Sequence, residues 1–317
     1  MSGSSYQGAE ASSTSLPWVI LGAGAIGSLW AAKLFQQSVE VELLVRHPIS
    51  TPTPLAFRDT PSAEPIQLAV PRTTLHERQT PIHKLLLCCK APEAFQAIVQ
   101  AQNFLAPGAL VVLCQNGMGS QQAIITSFPQ FDIYCLSTTE GAYVATNREV
   151  VHAGYGTSWL GKLNRNSEPV DDQSRAIAKD LSRSELTVKC DPCITNRLWL
   201  KLAINSSING LTALYGCKNG DLLRPPYCDR MDALSRETIQ LFQNLGIDPG
   251  LDLIQQVRTI AKDTAQNFSS TYQDVQRGKT TELAFMNGFV IEQARQAGIH
   301  LPEHQRLLDE LAVLGIH

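Results

Sequence analysis

Lys201, Asn205 and Asn209 stand four residues apart in the stretch WLKLAINSSINGLTALYGCKNG (199–220), with Asn219 just beyond them. Around them Leu200, Leu202, Ala203, Ile204, Ile208 and Leu211 recur at helical spacing, which predicts a buried helix. Steps of four residues advance about 40° around a helix, so the lysine and the two asparagines share a face. An ammonium on an otherwise apolar helix is costly unless it is paired or functional. Burial lowers the pKa of a lysine, and such a group gives up a proton near neutral pH. It also stabilises the alkoxide that forms when a carbonyl accepts hydride. Carboxamides both donate and accept hydrogen bonds, and so orient a polyfunctional substrate without adding charge. The competing reading is a lysine that snorkels outward beside asparagines acting as local caps.

A second set of residues points to a dinucleotide. GAGAIG (Gly22, Ala23, Gly24, Ala25, Ile26, Gly27) directly follows the apolar run WVIL and opens a helical one. Glycines there permit a tight turn and close approach of backbone to a pyrophosphate, whose charge the helix N-terminus attracts. A glycine turn with no ligand is the alternative. The next strand ends in Val45-Arg46-His47. NAD sites usually carry a carboxylate there; a guanidinium favours a 2′-phosphate, hence NADP, unless Arg46 is only a solvated surface residue. Lys90 in CCKAPE and Asn116 in CQNGMGS fall at the ends of two further strands. Ligands of such folds lie outside the carboxyl ends of the strands, although each residue alone also suits a turn.

The elements that must position these groups divide the chain in two. Residues 17–190 alternate short apolar runs with helical ones, which predicts an α/β, Rossmann-like, doubly wound and mainly parallel sheet. Its strands are expected at WVILGAG, VEVELLVR, KLLLCCK, ALVVLCQ and FDIYCLSTTEGA, with EVVHAGYGTSWLG alternating like an antiparallel hairpin. Residues 191–317 carry apolar stripes of helical period in four long segments, the last being KTTELAFMNGFVIEQARQAG, and predict an all-helical domain. Residues 1–16 are Ser/Gly/Ala-rich without a basic start or apolar core, and are expected to be a disordered tail rather than a secretory signal. The chain is 44% hydrophobic and 17% charged with net charge -3, and has no Lys/Arg-rich run. Nucleic acid and membrane are therefore excluded as expected partners, and the expected location is cytoplasmic. Of the eight cysteines, Cys88, Cys89, Cys114 and Cys135 lie in apolar runs where Cys serves as a small hydrophobe. Cys190 and Cys193 form a CDPC without a second pair, so it is read as structural and no metal is expected.

Taken together the motifs resemble those of the 2-dehydropantoate 2-reductase (ketopantoate reductase) family. GAGAIG, CCKAPE, QNGMG, KLAINSSIN with CKNG, NFSS and TTELAFMNG occur in that family's order over residues 18–302. The resemblance implies NADPH-dependent reduction of 2-dehydropantoate to (R)-pantoate, in pantothenate and coenzyme A synthesis, within a cleft between the two domains. It implies Lys201 as proton donor and Glu282 beside the nicotinamide. Asn116, Lys201, Asn205, Asn209, Asn219, Asn267 and Ser270 would bind substrate. Gly22 to Gly27, Arg46, Lys90, Asn116, Ala142 (through its backbone) and Glu282 would bind NADP(H). Glu140 departs from the pattern, since some members carry His there. The assembly is expected to be a monomer or homodimer. Open alternatives are an NADP reductase of another 2-keto acid, and a non-catalytic NADPH-binding sensor.

Overall fold

The structure is a computed structural model that describes residues 16–48, 53–145, 149–163 and 169–317. The tail expected over residues 1–16 thus lies outside the described residues except for Leu16. Twelve strands are described: β1 (Trp18–Leu21), β2 (Val41–Leu44), β3 (Leu55–Arg58), β4 (Ile66–Leu68), β5 (Arg72–Thr73) and β6 (Ile82–Leu87), then β7 (Leu105–Leu113), β8 (Asp132–Thr138), β9 (Gly141–Val144), β10 (Val150–Gly154), β11 (Ser158–Gly161) and β12 (Val188–Cys190). Among them run the helices α1 (Ala25–Gln36), α2 (Ala91–Ala101), α3 (Ser120–Ser127) and α4 (Asp172–Ser182).

Eight strands form one sheet in the order β12-β11-β8-β7-β6-β1-β2-β5. All neighbours pair in parallel except β11 with β8. The central strands are apolar at almost every position because helices cover both faces. Leu85, Leu87, Val111 and Leu113 face one layer, while Leu86 and Val112 face the other. This is the doubly wound sheet that the alternating pattern predicts.

A second sheet, β4-β3-β10-β9, was not anticipated, and it corrects the expected hairpin. β10 pairs antiparallel with β9, whereas β11 crosses to the main sheet and pairs with β8. Alternation shows only that each strand has one buried face; it does not say which sheet buries it. The small sheet lies over α1, contributing Leu55, Phe57 and Val150 to the layer that holds Trp30 and Leu34.

The remaining elements are helical: α5 (Ile194–Tyr215), α6 (Tyr227–Leu245), α7 (Leu253–Asp263), α8 (Ser270–Gln276), α9 (Asn287–Gln296) and α10 (Pro302–Val313). α5 and α6 each stop at a left-handed glycine, Gly216 and Gly246, whose missing Cβ lets the chain turn. α5 is central and packs on α6, α7, α8 and α10. The segment KTTELAFMNG departs from the expected continuous helix: it holds a single 3₁₀ turn, Leu283–Phe285, before α9 begins. One apolar core runs from the α2/α3 face of the sheet (Leu87, Ile98, Ile124) into the helical half (Leu202, Leu211, Met286). No helix among the described residues is long and apolar enough to cross a membrane.

Candidate active site

The glycine turn between β1 and α1 is shaped by what lies under it. Gly22 has φ +117°, and a Cβ there would strike the backbone of Cys88 and Cys89. A Cβ on Gly27 would strike the Gly22 carbonyl and lie 3.0 Å from Cys88 Cβ. Gly24 is different, because a Cβ there would meet nothing within 4 Å. Two of the glycines thus serve strand–helix packing, and the third leaves open space beside the N-terminus of α1. No side chain caps that N-terminus, so its first-turn N–H groups are available to an anion. A pyrophosphate fits this cradle in shape and charge sign.

Arg46, just past β2, has a side chain 74% exposed and an ion pair with Glu93 at 3.1 Å. Glu42, within the same strand, turns instead to Thr73 and Arg78, and no carboxylate stands at the strand's end. Lys90 reaches across to the helical half, where its Nζ donates to the Thr280 carbonyl at 2.9 Å and pairs with Asp274 at 2.6 Å. Ala142 lies on β9 of the small sheet, opposite His152.

The chemical centre is a chain of three side chains. Lys201 Nζ donates to Asn116 Oδ1 at 2.7 Å and to the Thr138 carbonyl at 2.8 Å. Asn116 Nδ2 donates to Glu282 Oε2 at 3.4 Å. Glu282 Oε1 in turn accepts the backbone N–H of Ala91, so it caps the N-terminus of α2. Burial pushes the Lys201 pKa down, against the neighbouring Cys114 and Glu282, which favour the charged lysine. Burial likewise pushes the Glu282 carboxyl up, opposed by its hydrogen bonds from Ala91 and Asn116 and by Lys90 and Lys201.

The loop that carries Asn116 is locked from both sides. Gln115 Nε2 donates to the Leu87 and Cys89 carbonyls, and Gln121 Nε2 donates to those of Gln115 and Gly117. Gly117, at φ +77°, sits against Phe285, and the Met118 N–H donates to the Phe285 carbonyl at 2.9 Å. The break in KTTELAFMNG therefore brings Glu282 to Asn116.

The other expected substrate residues are less tightly gathered. Asn205 is half-buried and makes no side-chain hydrogen bond among the described residues. Asn209 is buried with Nδ2 3.7 Å from Met286 Sδ, because the face that starts at Lys201 drifts toward the core with each turn. Asn219 donates to Thr264 Oγ1 at 2.9 Å, leaving its Oδ1 buried and without a partner among the described residues. Asn267 and Ser270 are exposed. Ser269, rather than Ser270, caps α8, accepting from the Tyr272 N–H and from Thr212 Oγ1.

Several contributors escaped the sequence reading: Thr138, Gln115, Gln121 and Asp274. The position of Thr138 at the carboxyl end of β8, level with Lys90 and Asn116 on their strands, was the available signal. Glu140, the departure from the family pattern, joins a different set of groups. Its side chain is buried and bonds His152 Nε2 at 2.8 Å, in a cluster where Asp59 pairs with Lys33 at 2.5 Å. Among the described residues no group of His, Cys, Asp and Glu is placed to hold a metal ion.

A glycine turn heading a parallel-rich sheet, joined to a helical domain that carries a half-buried lysine, is the architecture of a two-domain Rossmann-type oxidoreductase. Residues 18–165 match the family model "Ketopantoate reductase PanE/ApbA", and residues 194–314 match its C-terminal model. The chain belongs to the ketopantoate reductase family. It is 31% identical over 306 residues to the 2-dehydropantoate 2-reductase of Vibrio cholerae serotype O1, covering 93% of this chain and 97% of that one. The PanE/ApbA family ketopantoate reductase from Ralstonia eutropha JMP134 superposes with a TM-score of 0.82 at 23% identity, covering 94% of this chain and 98% of that one. A D-mandelate dehydrogenase with NADH and anilino(oxo)acetate superposes at 0.84 with 21% identity, covering 95% and 100%.

Proposed function

We propose that the protein reduces 2-dehydropantoate to (R)-pantoate with NADPH, and that Lys201 is the proton donor. The observation that carries this reading is the hydrogen-bonded Lys201–Asn116–Glu282 chain, in a family whose curated relatives include 2-dehydropantoate 2-reductases. The turn at Gly22 to Gly27 would hold the pyrophosphate, and Arg46 the 2′-phosphate. Lys90, Asn116 and the Ala142 backbone would hold the rest of the cofactor, which when bound supplies the hydride.

Lys201 stands ready to protonate an oxygen that gains negative charge, and its ammonium stabilises that charge before transfer. Asn116 fixes the direction of the ammonium by accepting one of its protons. Glu282 holds Asn116 in turn, and its charge keeps Lys201 protonated at a higher pH than burial alone would allow. Asn205, with its amide uncommitted, and the partnerless Oδ1 of Asn219 are available to a hydroxyl or carboxylate. Asn209, Asn267 and Ser270 would complete the substrate shell.

The test is oxidation of NADPH with 2-dehydropantoate, beside pyruvate and 2-ketoisovalerate, with NADH as control. Turnover with 2-dehydropantoate and NADPH alone is the expected result; preference for another keto acid would remove the substrate assignment. Lys201→Ala should lower kcat by about 10²- to 10⁴-fold while NADPH affinity stays near its original value. An NADPH sensor without turnover would bind the cofactor equally well in both forms and reduce none of the acids.

A further inference from the structure

Cys88 and Cys114 are distant in sequence and adjacent in the fold. They directly follow β6 and β7, whose register pairs Leu87 with Leu113. The Cys114 N–H donates to the Leu87 carbonyl at 3.0 Å, so the ladder continues to this rung. Leu86 and Val112, two residues earlier on each strand, face the layer under α1, and so do the two cysteines. The two thiols lie close enough to shift each other's ionisation. Both are free and half-buried, unlike Cys135, which is fully enclosed. Neighbouring strands lie about 4.8 Å apart, inside the range of about 4.4–6.8 Å between the Cα atoms of a disulfide.

The two thiols are also unequal. The neighbouring Cys88 thiol and the charge of Lys201 hold Cys114 below the usual thiol range, against burial and the charge of Glu282. The neighbouring Cys114, with burial, holds Cys88 well above it. Cys114 has the character of an attacking thiolate, and Cys88 that of a resolving thiol.

We propose that Cys88 and Cys114 are a redox site, closing to a reversible disulfide under a hydroperoxide and thereby disturbing the turn at Gly22 to Gly27. The Cys114 thiolate attacks one peroxide oxygen; the O–O bond breaks, giving a sulfenic acid and releasing hydroxide. Cys88 then attacks the Cys114 sulfur, the S–O bond breaks, and the hydroxyl leaves as water with the Cys88 proton. Both sulfurs are oxidised and the peroxide is reduced; a dithiol returns the pair to thiols.

The consequence follows from packing. The glycine turn rests so closely on Cys88 and Cys89 that a Cβ on Gly22 would strike their backbone, and a Cβ on Gly27 would lie 3.0 Å from Cys88 Cβ. Drawing the Cys88 sulfur onto Cys114 moves the floor of that turn. The effect on cofactor binding rests on the reading of this turn as the pyrophosphate cradle; the disulfide itself does not.

The purified protein would be treated with hydrogen peroxide, alkylated, digested and mapped by mass spectrometry, with NADPH affinity measured before and after. We expect a peptide joining Cys88 to Cys114, a loss of about tenfold or more in NADPH affinity, and recovery of both on adding dithiothreitol. Cys88→Ala and Cys114→Ala should each abolish the cross-link and the loss, with Cys88→Ser and Cys114→Ser as second variants should alanine disturb packing. Cys190→Ala should change neither. Over-oxidation of single cysteines without the cross-link, a Cys190–Cys193 cross-link in its place, or a Cys88–Cys114 cross-link that leaves NADPH affinity intact would each overturn the proposal. Should the protein form the cross-link although its reduced form binds no NADPH, the disulfide stands and the reductase reading falls.

Discussion

Lys201 is half-buried and Glu282 buried, and desolvation moves their pKa values toward each other. Each also favours the charged form of the other through its own charge. Replacing Glu282 with Gln removes that support from the lysine, while leaving an amide able to accept the Ala91 N–H. The folded pKa of Lys201 is already lowered, and Glu282→Gln should lower it further. A proton donor is active below its pKa and idle above it, so the alkaline limb of kcat for reduction should move to lower pH in the variant. A limb that stayed in place, or moved upward, would show that Glu282 does not sustain the lysine's charge. At this scale the sequence revealed Lys201 through its four-residue spacing with Asn205 and Asn209. It could not reveal the Thr138 carbonyl, since a backbone acceptor has no side-chain signature. Asn209 illustrates a further limit: a shared helical face at Lys201 leads into the core two turns later.

Among the elements, the turn from β1 to α1 separates packing from binding within one short motif. Gly27→Ala puts a methyl group against the Gly22 carbonyl, and should destabilise the fold by about 2–4 kcal/mol in denaturant unfolding. Gly24→Ala has room for its methyl group and an ordinary backbone conformation. It should unfold near the original midpoint and yet bind NADPH about tenfold more weakly, because the methyl group stands where a pyrophosphate must approach. Equal loss of stability in both variants would remove the distinction. The strands and helices that frame this turn were legible from their periods. The division of β10 and β11 between two sheets was not, because alternation is a property of one strand and sheet membership a property of several. Nor was the break before α9, where apolar residues at helical spacing pack on the loop of Gly117 instead.

The two halves of the molecule are joined by a core passing from one face of the sheet into the helical half, and by pairs such as Lys90 with Asp274. The helical half carries a buried histidine as well. His304 Nδ1 meets Asn287 Nδ2 at 3.1 Å, and its Nε2 meets Thr238 Oγ1 at 3.1 Å and the Leu234 carbonyl at 3.2 Å. These partners suit the neutral ring with its proton on Nε2. Burial lowers its pKa to about 4. A folded value below the unfolded one means that the unfolded chain binds the proton more readily. Stability is therefore full above the ordinary histidine value of about 6.5 and falls as pH drops toward the folded value, by up to about 3 kcal/mol. Urea unfolding from pH 7 to pH 4 should show this slope, and His304→Gln should flatten it while lowering stability throughout.

Local chemistry was within reach of the sequence alone. The period of apolar residues, the glycines after the first strand, the missing carboxylate after the second, and the spacing of Lys201, Asn205 and Asn209 are properties of neighbours along the chain. They sufficed for the sheet, the helical half and the family. Tertiary structure decided what depends on distant segments meeting: Asn116 between Lys201 and Glu282, Asp274 against Lys90, Glu140 turned inward to His152, and Cys88 beside Cys114. CDPC had the redox spacing in sequence, but its Asp191 accepts from the Cys193 N–H and pairs with Arg197, as a turn residue does. The cysteine pair beneath the glycine turn is instead one rung of a parallel sheet. Parallel strands are joined through a crossover helix, so residues on one rung are always far apart in sequence.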